Sequence, residues 1–175
     1  MLGSAAGNAT FGVWDSSGEK IILLETWLVI ECVAPARLHV ERFLPQTPLR
    51  IFVDHKGTDH TDSPAFATPP LRKGDAAGLM RNEKVKRNFL PAMLEQARTL
   101  GTAKSQPIIA EALTRMRTEM AAEIARLRDL AEVNDHIRPE EITALEERES
   151  ELATVIANAR VRLDAVRLIW KAPPN

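Results

Sequence analysis

One cysteine, Cys32, is all that this chain of 175 residues contains. That excludes an internal disulfide framework and a multi-cysteine zinc site, and it suits a reducing compartment. Excess charge of one sign is also missing. Lysine and arginine total 23 against 24 aspartates and glutamates, a net charge of -1, so attraction to nucleic acid or an anionic membrane would need a local patch. There is no long apolar run either. Residues 21–34 come nearest, but Glu25 and Glu31 interrupt them, and the stretch is shorter than the ~20 residues a spanning helix requires. The first residues show no basic stretch followed by an apolar core, so no secretory signal is read there. The eight glycines are dispersed, and none belongs to a phosphate-cradling loop ending in Lys-Ser or Lys-Thr. These absences predict a cytoplasmic chain with no membrane partner, no motor or kinase chemistry and no cofactor of its own.

What is present is ordinary globular composition, 45% hydrophobic and 27% charged, enough for one or two domains. The composition changes near Asp75. Residues 1–75 hold most of the β-branched and aromatic runs, whereas residues 76–175 are rich in Ala, Leu, Ile, Met and balanced charge. The division predicted is a β-rich half, 1–75, and a helical hairpin with a final strand, 76–175.

In the first half, residues 9–14 and 20–33 flank Asp15-Ser16-Ser17-Gly18 and predict a β-hairpin. On the second strand Leu24, Thr26, Leu28, Ile30 and Cys32 share one face. Glu25, Trp27, Val29, Glu31 and Val33 share the other, a mixed face that is only half dry. Residues 38–43 and 49–53 read as two further strands, and residues 54–78 as an exposed connection.

In the second half, residues 83–100 read as a first helical stretch that Pro91, Gly101 and Pro107 weaken or kink. Apolar residues then recur at helical spacing from Ile109 to Ala131. A turn over Asn134-Asp135-His136-Ile137-Arg138 precedes Pro139, which suits the first position of a helix. The series Ile142, Leu145, Glu149, Leu152, Ile156, Ala159, Leu163 and Val166 forms a heptad seam with one polar violation. Arg160, Arg162 and Arg167 would then fall near that helix's C-terminal end, with an Arg160–Asp164 pair one turn apart. Residues 166–170 are β-branched and aromatic, and predict a strand that returns to the sheet. The fold class expected is α+β: a mostly antiparallel sheet, a long antiparallel helical hairpin and a C-terminal strand closing the unit.

Few residues suggest chemistry. His55 and His60, with Asp54, Asp59 and Asp62 nearby, have the side chains of a metal site but no fixed ligand spacing, and read as solvated loop histidines. Cys32 reads as a buried, unreactive thiol. Glu149 reads as the place where the seam opens to solvent. The basic cluster Arg72, Lys73, Arg81, Lys84, Lys86 and Arg87 reads as a solvated helix start that is also the candidate contact for phosphates or an acidic partner.

Several longer runs resemble the C-terminal domain of bacterial RNA polymerase-associated ATPases of the Swi/Snf type, the RNA polymerase recycling family. They are Gly7-Asn8-Ala9-Thr10-Phe11, Leu23-Leu24-Glu25-Thr26, Glu31-Cys32-Val33-Ala34-Pro35 and the stretch from Arg42 through Leu44-Pro45-Gln46-Thr47-Pro48 to Arg50. Near the other end they are Val133 through His136 to Glu141, and Arg162-Leu163-Asp164-Ala165-Val166-Arg167-Leu168-Ile169. Residues 57–107 match less well. The resemblance implies a noncatalytic C-terminal domain of a larger polypeptide. The parent would use ATP and Mg, move on DNA, bind core RNA polymerase and promote its recycling, with this domain also meeting the motor domains upstream. The rival expectation is a self-contained coiled-coil oligomerisation or adaptor module using the heptad seam.

Overall fold

Strands β1 (Asn8–Asp15), β2 (Ile21–Glu31), β3 (Thr47–Asp54), β4 (Arg72–Lys73) and β5 (Arg160–Ala172) form one sheet in the order β3-β2-β5-β1-β4. The computed structural model describes residues 8–134 and 136–174. Residues 1–7, where no secretory signal is read, and Asp135 of the predicted turn lie outside the described residues. Helices α1 (Ala77–Met80), α2 (Leu90–Ala131) and α3 (Pro139–Ala157) complete the α+β architecture.

The predicted hairpin does not form. β5 lies between β1 and β2, and it pairs in parallel with β1 from Asn8–Ala165 to Asp15–Ala172. The reason lies in β5 itself: Leu168 joins the apolar cluster on one sheet face and Ile169 the cluster on the other. A strand apolar on both faces gains most when it is interior to the sheet. The returning C-terminal strand is therefore present, but it enters the middle of the sheet, and it is longer than residues 166–170.

The heptad seam is shorter than predicted. α3 ends at Ala157, so Ala159, Leu163 and Val166 do not extend it, and Arg160, Arg162 and Arg167 belong to β5 rather than to a helix end. Arg160 donates to Glu31 at 3.0 Å in place of the expected Asp164. The β-branched and aromatic content of residues 161–170 outweighs the helical spacing of a few leucines and valines. At the other end α3 starts at Pro139 as predicted, and the Glu141 carboxylate accepts from the Arg138 backbone N–H at 3.5 Å.

α2 is continuous over 42 residues where a weakened helix is expected. A single π-helical turn, Val85–Phe89, leads into it, and Pro91 follows closely, where the wider turn accommodates a residue with no N–H. Gly101 is there for packing: a Cβ at that position would stand 2.1 Å from Leu28 Cδ1. Pro107 lies inside the helix, and the turns after it bury Ile109, Ala112, Met116 and Met120. That burial offsets the ~3 kcal/mol an interior proline costs.

Residues 38–43 are not a strand. Two 3-10 turns, Ala36–Leu38 and Val40–Arg42, meet at His39, whose φ of 49° breaks any extended run while Leu38, Val40 and Phe43 are buried.

The chain divides into two compact units. One comprises residues up to Val29, Pro48–Ala103 and the chain from Val161. In it Ile22, Leu24, Leu28, Ile51, Val53 and Leu168 pack with Val85, Met93 and Ala97 on one sheet face. Leu23, Phe52 and Ile169 pack with Trp14, Phe66 and Leu71 on the other. Each fully buried aliphatic side chain contributes about 1.5–3 kcal/mol. The second unit comprises Ile30–Thr47 and Lys104–Arg160. It holds the hairpin of α3 and the later turns of α2, joined by Arg128–Glu146 at 2.5 Å, and the two 3-10 turns, joined to it by Arg37–Glu151 at 2.6 Å and Arg42–Glu119 at 2.7 Å.

Candidate functional site

The six cations of the basic cluster all fall in the first unit, on β4, just past the end of α1 and in the turn before α2. Four are engaged locally. Arg72 holds Asp15 through two hydrogen bonds of 2.6 and 3.0 Å, which keep the Asp15 carboxyl below its ordinary range. Arg87 pairs with Glu83 at 2.6 Å, Arg81 Nε donates to the Ala77 carbonyl, and Lys84 Nζ lies 5.2 Å from the Phe89 ring. Exposed pairs of this kind contribute at most about 1 kcal/mol, so they leave the cations within reach of a stronger anionic partner. Lys73 and Lys86 are exposed and have no ion pair among the described residues.

The histidines are not solvated loop residues. The buried Asp54 carboxylate accepts from the backbone N–H groups of Lys56 at 2.8 Å and Thr58 at 2.9 Å, and lies 2.9 Å from His60 Nε2. Burial pushes the Asp54 carboxyl up, but these hydrogen bonds outweigh it and hold it below the usual range. His60 stacks on Phe66 with ring centroids 4.3 Å apart, and His55 Nδ1 accepts from the Ile22 N–H at 3.3 Å. The connection folds back on β3 as well: His60 N–H donates to the Phe52 carbonyl, and Thr61 Oγ1 accepts from Phe52 N–H. The acidic and histidine residues of this segment thus act as a clasp for backbone. Among the described residues no group of three His, Cys, Asp or Glu side chains is placed to hold a metal.

Cys32 lies just past the end of β2 rather than inside a strand, and it is half-buried; burial pushes its thiol up. Glu149 is half-buried on α3, whose fully buried residues are Leu152 and Ile156. The seam is thus dry toward the C-terminal end of the helix and opens at Glu149.

The constellation that sequence reasoning missed lies on the mixed face of β2. Glu25 is buried, and its two carboxylate oxygens accept from Arg50 Nε at 2.6 Å and Arg167 Nη1 at 3.2 Å. Arg50 also donates to the Phe66 carbonyl, and the Arg167 guanidinium lies 5.0 Å from the Trp27 ring centroid. Pleat alternation places Glu25 and Trp27 on this face, but their partners come from β3 and β5, 25 and 142 residues away from Glu25. The signal available was a glutamate inside an apolar strand, since a buried carboxylate requires cationic partners.

The family model described as the RNA polymerase recycling family C-terminal domain matches residues 1–171. The RNA polymerase-associated protein RapA of Haemophilus influenzae (strain PittEE) is 34% identical over 153 residues, covering 85% of this chain. RapA of Pectobacterium carotovorum subsp. carotovorum (strain PC1) is 34% identical over 151 residues, and that of Actinobacillus pleuropneumoniae serotype 3 (strain JL03) 36% identical over 153. The chain spans 16% of the length of each of these relatives. With nearly its whole length matched, the chain belongs to the RNA polymerase recycling family, as a representative of its C-terminal domain.

Proposed function

We propose that this chain is a noncatalytic docking domain that holds core RNA polymerase, within a cytoplasmic protein whose other regions bind ATP and Mg, move on DNA and drive polymerase recycling. The observation that carries this reading is the match over residues 1–171 together with the relatives' shared description as RNA polymerase-associated proteins. The basic cluster suits such docking: Lys73 and Lys86 offer unengaged charge, and Arg72, Arg81, Lys84 and Arg87 are held only by exposed local contacts. Contact with the upstream motor domains is part of the same proposal.

The test is capture of core RNA polymerase by the immobilised chain. Binding at micromolar concentration, weakened by salt and by Lys73→Glu with Lys86→Glu, is expected. Failure to retain polymerase at that concentration would leave only an intramolecular role toward the motor domains. Hydrolysis of ATP by the purified chain would overturn its assignment as noncatalytic.

A further inference from the structure

We infer that the sheet face bearing Glu25 is a platform for single-stranded RNA, built from Arg167 lying over Trp27 and from Arg50. The choice of RNA rests on the polymerase-docking reading, because a polymerase is where single-stranded RNA is met; the platform itself is argued from geometry. Three adjacent strands contribute: Arg50 on β3, Glu25 and Trp27 on β2, Arg167 on β5. On the same face Phe66 and Leu71 cover the apolar cluster beyond Arg50. The platform end is open: the Arg167 side chain is 36% exposed and that of Arg50 27%, and Thr10, in register with Arg167 on β1, is exposed.

The arrangement presents a flat cation. The Arg167 guanidinium carbon lies over the Trp27 ring, 5.0 Å from its centroid, and one of its N–H groups donates to Glu25, two contacts that restrict where the side chain can go. A guanidinium plane held in this way is a surface on which an unpaired base stacks, and its remaining N–H donors reach phosphate oxygens. Charge favours the same occupant. Two arginines share one carboxylate, leaving a surplus of one positive charge, and the Glu25 side chain, only 3% exposed, lies beneath them and does not confront an incoming phosphate. A duplex keeps its bases stacked inside and cannot use the plane, whereas a single strand can splay a base onto it. An acidic protein segment would satisfy the charge but leave the plane idle.

The experiment titrates the whole 175-residue chain with a fluorescein-labelled oligouridylate at low salt. The original chain is compared with Arg167→Lys, which keeps the charge toward Glu25 but loses the plane, and Trp27→Leu, which removes the indole. Binding that weakens about tenfold in each variant is expected, and Arg167→Lys should keep nearly the original salt dependence. Should Arg167→Lys melt early by circular dichroism, Trp27→Leu decides the matter. The inference is overturned by absence of binding in the original chain, by unchanged affinity in the folded variants, or by a polyglutamate peptide that competes equally at matched charge. Polymerase capture is measured on the same preparations. Capture without oligonucleotide binding sinks the platform alone, and oligonucleotide binding without capture sinks the docking reading alone.

Discussion

The two faces of the sheet are built from the same strands by opposite means. On one, Ile22, Leu24, Leu28, Ile51, Val53 and Leu168 meet the first turns of α2 through apolar contact only. On the other, Leu23, Phe52 and Ile169 give way along the same strands to Glu25, Arg50 and Arg167. Apolar packing is non-directional and tolerates many solutions. A buried carboxylate with two guanidinium partners has few alternative arrangements, so the second face adds a constraint of register to the apolar burial that places β5 beside β2. The difference teaches that stability is concentrated on the first face, while register and surface chemistry are set on the second.

The sharpest way to break the comparison is to remove one large side chain from the dry face. Leu24→Ala takes away a completely buried side chain and is expected to cost about 3 kcal/mol, read from the midpoint of urea unfolding. A loss under about 1 kcal/mol would mean that the dry face does not dominate. On the other face, Glu25→Gln keeps the shape but leaves two arginines sharing a neutral amide. Because both can turn toward water, the expected loss is smaller, about 2 kcal/mol. The Glu25 pairing should be screened by salt far less than a surface pair, so the loss on Glu25→Gln should stay nearly the same as salt is raised.

The smallest effect concerns the clasp at the end of β3, and is read from pH. The Asp54 carboxyl is held below its ordinary range in the folded chain. The stabilisation it gives is therefore complete above the unfolded carboxylate value and is lost as the pH falls through the folded one. Stability should decline below about pH 4, and Asp54→Asn should flatten that decline while lowering stability at neutral pH. An unchanged acid limb in the variant would show that other carboxylates carry the dependence.

Local patterns made much of this chain legible. The alternation along β2 separates its dry face from its mixed face correctly, Pro139 marks the start of α3, and the β-branched run near the C-terminus marks a strand. The errors share one cause. The hairpin between β1 and β2 is locally favourable, but it loses to a strand from the far end of the chain whose two apolar faces are satisfied only inside the sheet. The heptad seam runs on in spacing past Ala157 while the chain has already turned into β5. Pro107 and Gly101 argue against a helix by propensity, yet α2 passes through both, because side chains packed against it outweigh roughly 1–3 kcal/mol of local preference.

The candidate site was less legible than the fold. The basic cluster is visible as a run of cations, whereas the engagement of Arg72 with Asp15 across 57 residues is not. His60 reads as a loop residue until Asp54 and Phe66 close on it. The runs that resemble the recycling family carry no catalytic motif, so they point to kinship rather than to a surface.

By itself, the amino-acid sequence determined most of the periodicities that make strands and helices, and the kinship of the chain, because each of these is written in neighbouring residues. Only the tertiary structure decided that β5 enters the middle of the sheet and that Glu25 gathers Arg50 and Arg167. Such pairings form between residues distant in the chain, and they are selected by what the assembled fold leaves buried and unsatisfied rather than by any local pattern.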